Sequence, residues 1–92
     1  MVQVIENRAD IEGQVVALTD KVRPGHRLVT IEVGTASPVE GYPNLFNSVV
    51  GKHLDVIVPS EQAAALDVGA PVRCRVRRAG PNTVIGERCH TR

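Results

Sequence analysis

Arg27-Leu28-Val29-Thr30-Ile31-Glu32-Val33 is the stretch that decides the fold. Val29, Ile31 and Val33 alternate with Leu28, Thr30 and Glu32. A repeat of two residues sends the first set to one face of an extended strand and the second to the other. Val and Ile pack well on a pleated surface, so the run predicts a strand with its odd-numbered residues in a core.

The same pattern recurs on both sides. Upstream, Ile11 to Leu18 is a first strand, with Gly13 placed for a bend or a close backbone approach. Val2, Val4 and Ile5 suggest a short extra strand before it, and Arg23-Pro24-Gly25 is a turn. Downstream, His53 to Val58 repeats the alternation with Leu54, Val56 and Val58 inward, and Pro59 ends it. Ser60 to Leu66 reads as a short helix capped by the Ser60 side chain, with Glu61 at its positive start. Pro71 to Arg78 is a fourth strand with Val72, Cys74 and Val76 inward. Ala79-Gly80-Pro81-Asn82 is a hairpin turn, Thr83 to Glu87 a fifth strand, and residues 88–92 a flexible polar tail.

Gly34 to Lys52 interrupts the series as a long loop between the second and third strands. Within it, Leu45, Phe46, Val49 and Val50 have the spacing of a short helix, with Gly51 at its left-handed end. Five short strands are too few for a sandwich, which needs about seven. The sequence therefore predicts one all-β domain over residues 1–92, a five-stranded OB-like barrel with a short helix between strands 3 and 4.

The composition agrees with a small aliphatic core: 42% of the 92 residues are hydrophobic, with one Phe, one Tyr and no Trp. Eleven basic and ten acidic residues leave a formal charge of +1, unlike the strongly basic balance of a general polyanion binder. No run approaches the ~18 apolar residues of a membrane span. Met1 to Glu6 lacks the basic region and apolar stretch of a secretory leader, so the expectation is a cytoplasmic protein. Two cysteines, Cys74 and Cys89, are too few for a disulfide scaffold and are expected as free thiols.

The stretches Arg8-Ala9-Asp10-Ile11-Glu12-Gly13-Gln14-Val15, Leu54 to Ser60 and Leu66 to Val72 resemble the TOBE and Mop domains. These are OB-like barrels associated with molybdate and with transporter ATPases. The resemblance covers most of Arg8–Val33 and Leu54–Ile85 and implies a small barrel that binds oxyanions or assembles into oligomers. Two departures stand out. Glu6-Asn7-Arg8-Ala9 replaces the usual Ser-Ala-Arg-Asn, putting a carboxylate where an oxyanion would be repelled, and Thr35–His53 exceeds the usual short hairpin.

Arg73, Arg75 and Arg77, with Arg78, form the sharpest chemical feature. Guanidinium groups on alternate residues of one strand grip phosphate or carboxylate through paired hydrogen bonds. The same row also reads as a solvated face with Glu12, Glu32 or Asp55 as cross-strand partners. Tyr42 and Lys52, in the long loop, complete the expected partner-binding set. Phe46 belongs to the core, which leaves little aromatic surface for stacking bases. Cys74, Cys89, His26, His53 and His90 match no zinc spacing, so no metal and no cofactor is expected. No catalytic grouping is recognisable, and Gly25, Gly34, Gly41 and Gly51 are scattered turn residues rather than a phosphate loop. The expectation is a non-catalytic module for an anionic partner, either nucleic acid or an acidic protein surface. The alternative is a TOBE-like oxyanion or assembly domain acting as an oligomer.

Overall fold

The computed structural model describes residues 6–20 and 23–92, and the extra strand expected at Val2, Val4 and Ile5 lies outside them. Five strands form a closed barrel in the order β1-β2-β3-β5-β4. They are β1 (Ala9–Thr19), β2 (His26–Pro38), β3 (His53–Pro59), β4 (Pro71–Gly80) and β5 (Thr83–Thr91). A single helical turn, α1 (Ser60–Ala63), joins β3 to β4. Every neighbouring pair is antiparallel except β3 and β5, which run parallel where Ile57 faces Ile85.

The alternating trios meet as their period requires. Val29, Ile31, Val33, Leu54, Val56, Val58, Val72, Cys74 and Val76 are all buried in one cluster with Ala9, Ile11 and Val15. Closure depends on β1, which pairs with β2 along its length and with β4 from Ala9 to Gln14. A register shift at Glu12/Gly13 bends it there. Only glycine fits at the bend, because a Cβ on Gly13 would overlap the Glu32 carbonyl oxygen and lie 2.9 Å from its carbon.

Four elements depart from the sequence expectation, and so does the state of the cysteines. β2 continues through Gly34 to Pro38, since Ala9–Glu12 of β1 supply ladder partners, so the loop is Val39–Lys52. Within that loop the expected helix is one 3-10 turn, Asn47–Val49. The Asn44 carboxamide oxygen accepts the Phe46 N–H at 2.9 Å at its start, and Val50, extended at ψ 129°, ends it after one turn. Phe46 is fully buried as a plug and Val49 packs against the core, while Leu45 and Val50 stay exposed. Gly51 does adopt the left-handed conformation, at φ +83°.

The helix after β3 is likewise short. Ser60 gives no side-chain cap, and its N–H donates to the Gly25 carbonyl at 2.9 Å. Gly69 and Ala70 exchange backbone bonds with Val15, which pulls the chain back onto the barrel soon after α1. Finally, Arg88–Thr91 is strand, not tail. The Cys89 N–H donates to Gln62 Oε1, the Thr91 hydroxyl to Ala65 O, and the Arg92 N–H to Pro71 O.

The cysteines are not free. Cys74 and Cys89 are directly opposed on β4 and β5, with Cα atoms 4.1 Å apart, and form a buried disulfide. The Cys89 N–H points away from β4, so the two occupy a non-hydrogen-bonded pair, where opposed side chains come closest. Gly86 leaves the necessary space, since a Cβ there would sit 2.7 Å from the Cys89 sulfur.

A candidate anion-binding face on β1, β4 and β5

The parity that buries Val72, Cys74 and Val76 turns Arg73, Arg75 and Arg77 outward, as the sequence predicts. Arg78 does not belong to that row. It shares the parity of the buried residues, and at the barrel end its guanidinium lies 5.2 Å from the Phe46 ring centre. Its backbone is held by Asn7, whose carboxamide accepts the Arg78 N–H at 2.7 Å and donates to the Arg78 carbonyl at 3.0 Å. Asn7 is buried, and no sequence signal marked it.

Two neighbours enlarge the row. On β1, Asp10 and Glu12 alternate with buried Ala9 and Ile11, point outward and stand opposite Arg75 and Arg73. On β5, a bulge facing Arg75/Val76 inserts one extra residue. Gly86 and Cys89 stay buried, so both Glu87 and Arg88 are exposed between them. Arg88 thereby comes to oppose Arg75, and His90 to oppose Arg73.

Arginines outnumber carboxylates in the resulting lattice. Asp10 takes both Nε and Nη2 of Arg75, at 3.0 and 3.2 Å, and lies 3.6 Å from Arg73. Glu12 is shared by Arg73 at 4.0 Å and Arg92 at 3.4 Å. Glu87 is shared by Arg8 at 2.6 Å and Arg77 at 3.5 Å. Arg8 also lies 3.9 Å from exposed Glu6. Each of these three strand carboxylates thus serves two guanidiniums, and Arg88 has no ion-pair partner among the described residues. The expected partner Glu12 is present, whereas Glu32 faces His53 at 3.6 Å and Asp55 accepts from Thr30 at 2.6 Å on the β2–β3 side. The Arg75 hydrogen bond holds the Asp10 carboxyl below its ordinary value against the opposing effect of burial.

Two hollows open on this side. One of about 150 Å³ is lined by Asp10, Arg73, Arg75, Arg88 and His90. The other, of about 320 Å³, includes Asn7, Arg8, Arg77, Arg78 and Glu87 in its walls. Tyr42 reaches the same edge, because the Arg8 guanidinium covers its ring at 4.9 Å. Lys52 stands apart: its backbone is bonded to Val33 and Val49, and its side chain makes no bond to the arginine lattice. His26 and His53 are also elsewhere, beside Pro24 and Glu32.

No known protein family matches this chain, and no curated protein sequence matches it. No helix among the described residues is long and apolar enough to cross a membrane.

Proposed function

We propose that this chain is a non-catalytic, OB-like binding module that docks an acidic polypeptide surface on the outer face of β1, β4 and β5. The observation that carries this reading is the excess of Arg8, Arg73, Arg75, Arg77, Arg88 and Arg92 over Asp10, Glu12 and Glu87. Guanidiniums that share a carboxylate retain hydrogen-bond capacity for a partner's carboxylates.

A protein partner suits the face better than nucleic acid does. Carboxylates are interleaved among the arginines, and they would repel a continuous phosphate backbone. Stacking is poorly served as well, since Phe46 is buried and Tyr42 lies under Arg8. The β2–β3 face, with Glu32 and Asp55, has the wrong sign for either.

A second reading, a TOBE-like assembly domain, draws on the exposed apolar side chains Tyr42, Leu45 and Val50 of the Val39–Lys52 loop. It requires an oligomer, and the mass from light scattering separates the two readings. The cytoplasmic location expected from the sequence would also need revision, because structural disulfides such as Cys74–Cys89 persist mainly in oxidising compartments.

The test is charge reversal. A fluorescent peptide rich in Asp and Glu is titrated with the parent protein and with the Arg73→Glu/Arg75→Glu double variant, at low and high salt. Binding should weaken at least tenfold, equivalent to about 1.4 kcal/mol, in the double variant. Salt should weaken the parent's binding and have less effect on the variant. Equal affinity of parent and variant, or tighter binding of a single-stranded oligonucleotide than of the peptide, refutes the proposal.

A further inference from the structure

The hollow between Arg73, Arg75, Arg88 and His90 has a more specific chemistry than the face around it. Four outward side chains come from two adjacent strands, opposed in the pairs Arg73/His90 and Arg75/Arg88. Side chains opposed in this way have Cβ atoms about 4.5–5.5 Å apart, and like charges there repel. Arg75 is committed to Asp10 by two hydrogen bonds. Arg88 is committed to nothing among the described residues, and Arg73 holds its carboxylates only at 3.6 and 4.0 Å. Two guanidiniums and an imidazole therefore converge with their donors largely unspent.

Charge selects the ligand class. Three arginines against Asp10 leave a surplus of two positive charges in the lining, with His90 counted neutral and Glu12, shared by Arg73 and Arg92, outside it. A carboxylate or a phosphodiester carries one negative charge, whereas a phosphomonoester carries about 1.5–2 near neutral pH and offers three acceptor oxygens. The scaffold is rigid where the seat requires it: Cys74 lies between Arg73 and Arg75, Cys89 lies between Arg88 and His90, and the two cysteines are covalently joined.

We infer that this hollow seats the phosphate of a phosphorylated side chain on the docked polypeptide, with Arg88, Arg73 and His90 as its donors. The inference rests on the docking face proposed above and adds the phosphate as its specificity. Arg75 acts as a positioning residue, since its bonds to Asp10 keep that carboxylate from facing the anion.

The experiment uses three versions of one acidic heptapeptide, carrying phosphoserine, serine or glutamate at the centre, with the parent protein and with Arg88→Gln. Arg88 is exposed and has no ion-pair partner among the described residues, so the variant should match the parent in thermal unfolding. The parent should bind the phosphoserine version at least tenfold more tightly than the serine version. Arg88→Gln should remove most of that preference, weakening the phosphoserine version at least fivefold more than the serine version, which loses one guanidinium of the docking face. Equal affinities for the three peptides, or a preference that survives Arg88→Gln, overturns the inference while leaving the docking face standing. Failure of every peptide to bind overturns both. Inorganic phosphate that competes as tightly as the phosphopeptide binds would assign the seat to a free anion, and the polypeptide source falls.

Discussion

Replacing Gly13 with alanine tests whether β1 is held as tightly between its neighbours as its backbone indicates. The new methyl would overlap the Glu32 carbonyl oxygen and stand 2.9 Å from Glu32 C and 3.1 Å from Ile31 Cγ2. Comfortable carbon contacts begin at about 3.5 Å, so the strands must part. β1 cannot simply retreat, because Gly13 faces Val33 on β2 and Val72 on β4. Overpacking of this kind costs about 1–3 kcal/mol. Losing roughly two ladder hydrogen bonds adds about 0.5–1.5 kcal/mol each. The reduced freedom of the unfolded alanine chain returns about 0.4–1 kcal/mol. The expected loss is about 2–5 kcal/mol out of a typical total of about 5–15. At about 4–8 °C per kcal/mol, Tm should fall by at least about 8 °C. Gly34→Ala is the matched control on the same ladder, since its Cβ would meet only Glu12 O at 3.4 Å. Thermal and urea unfolding followed by circular dichroism should give a large drop for the first variant and almost none for the second. A Gly13→Ala protein melting within about 4 °C of the parent would refute the reasoning.

Two further outcomes follow from named contacts. Reducing the Cys74–Cys89 bond, or replacing Cys89 with serine, should lower stability by up to about 3 kcal/mol, the loop-closure value for a separation of 15 residues. Urea midpoints with and without a dithiol reductant measure this, and identical midpoints would argue against a structural bond. Asp10, whose carboxyl is held below its ordinary 3.8 chiefly by the Arg75 hydrogen bond, lends stability that is complete above that value. That contribution disappears as pH falls through the lower folded-state value. Asp10→Asn should therefore flatten the acid limb of a stability-against-pH curve, and an unchanged limb would contradict the pairing.

The core was legible because nothing disturbs its parity. Val29/Ile31/Val33, Leu54/Val56/Val58 and Val72/Cys74/Val76 alternate without a break, and all nine are buried. The closely approached Gly13 and left-handed Gly51 were legible for a related reason, as residues whose missing side chain is the point. The face was read only in part. Parity placed Arg73, Arg75 and Arg77 outward, and it also set Arg78 with the inward residues, a signal overridden by its position next to Arg77. Arg88 and His90 looked like tail because the bulge at β5 breaks the alternation just before them. Which carboxylate meets which arginine depends on strand register, and register is set by contacts between segments some 65 residues apart, such as Asp10 and Arg75. The helix expected around Phe46 stops after one turn, where Val50 is extended, and its apolar spacing carried no sign of that stop.

Among the described residues the sheet returns to its own first strand, with the β3–β5 join, a single pair at Ile57 and Ile85, as its thinnest seam. A closed barrel offers little border for recognition by strand addition, which draws affinity from main-chain bonds whatever the visitor's sequence. On the proposed docking face, a partner would be recognised by side chains, chiefly by the guanidiniums. An encounter of that kind would form fast, weaken as ionic strength rises, and be open to re-addressing by a few surface substitutions that leave the interior untouched.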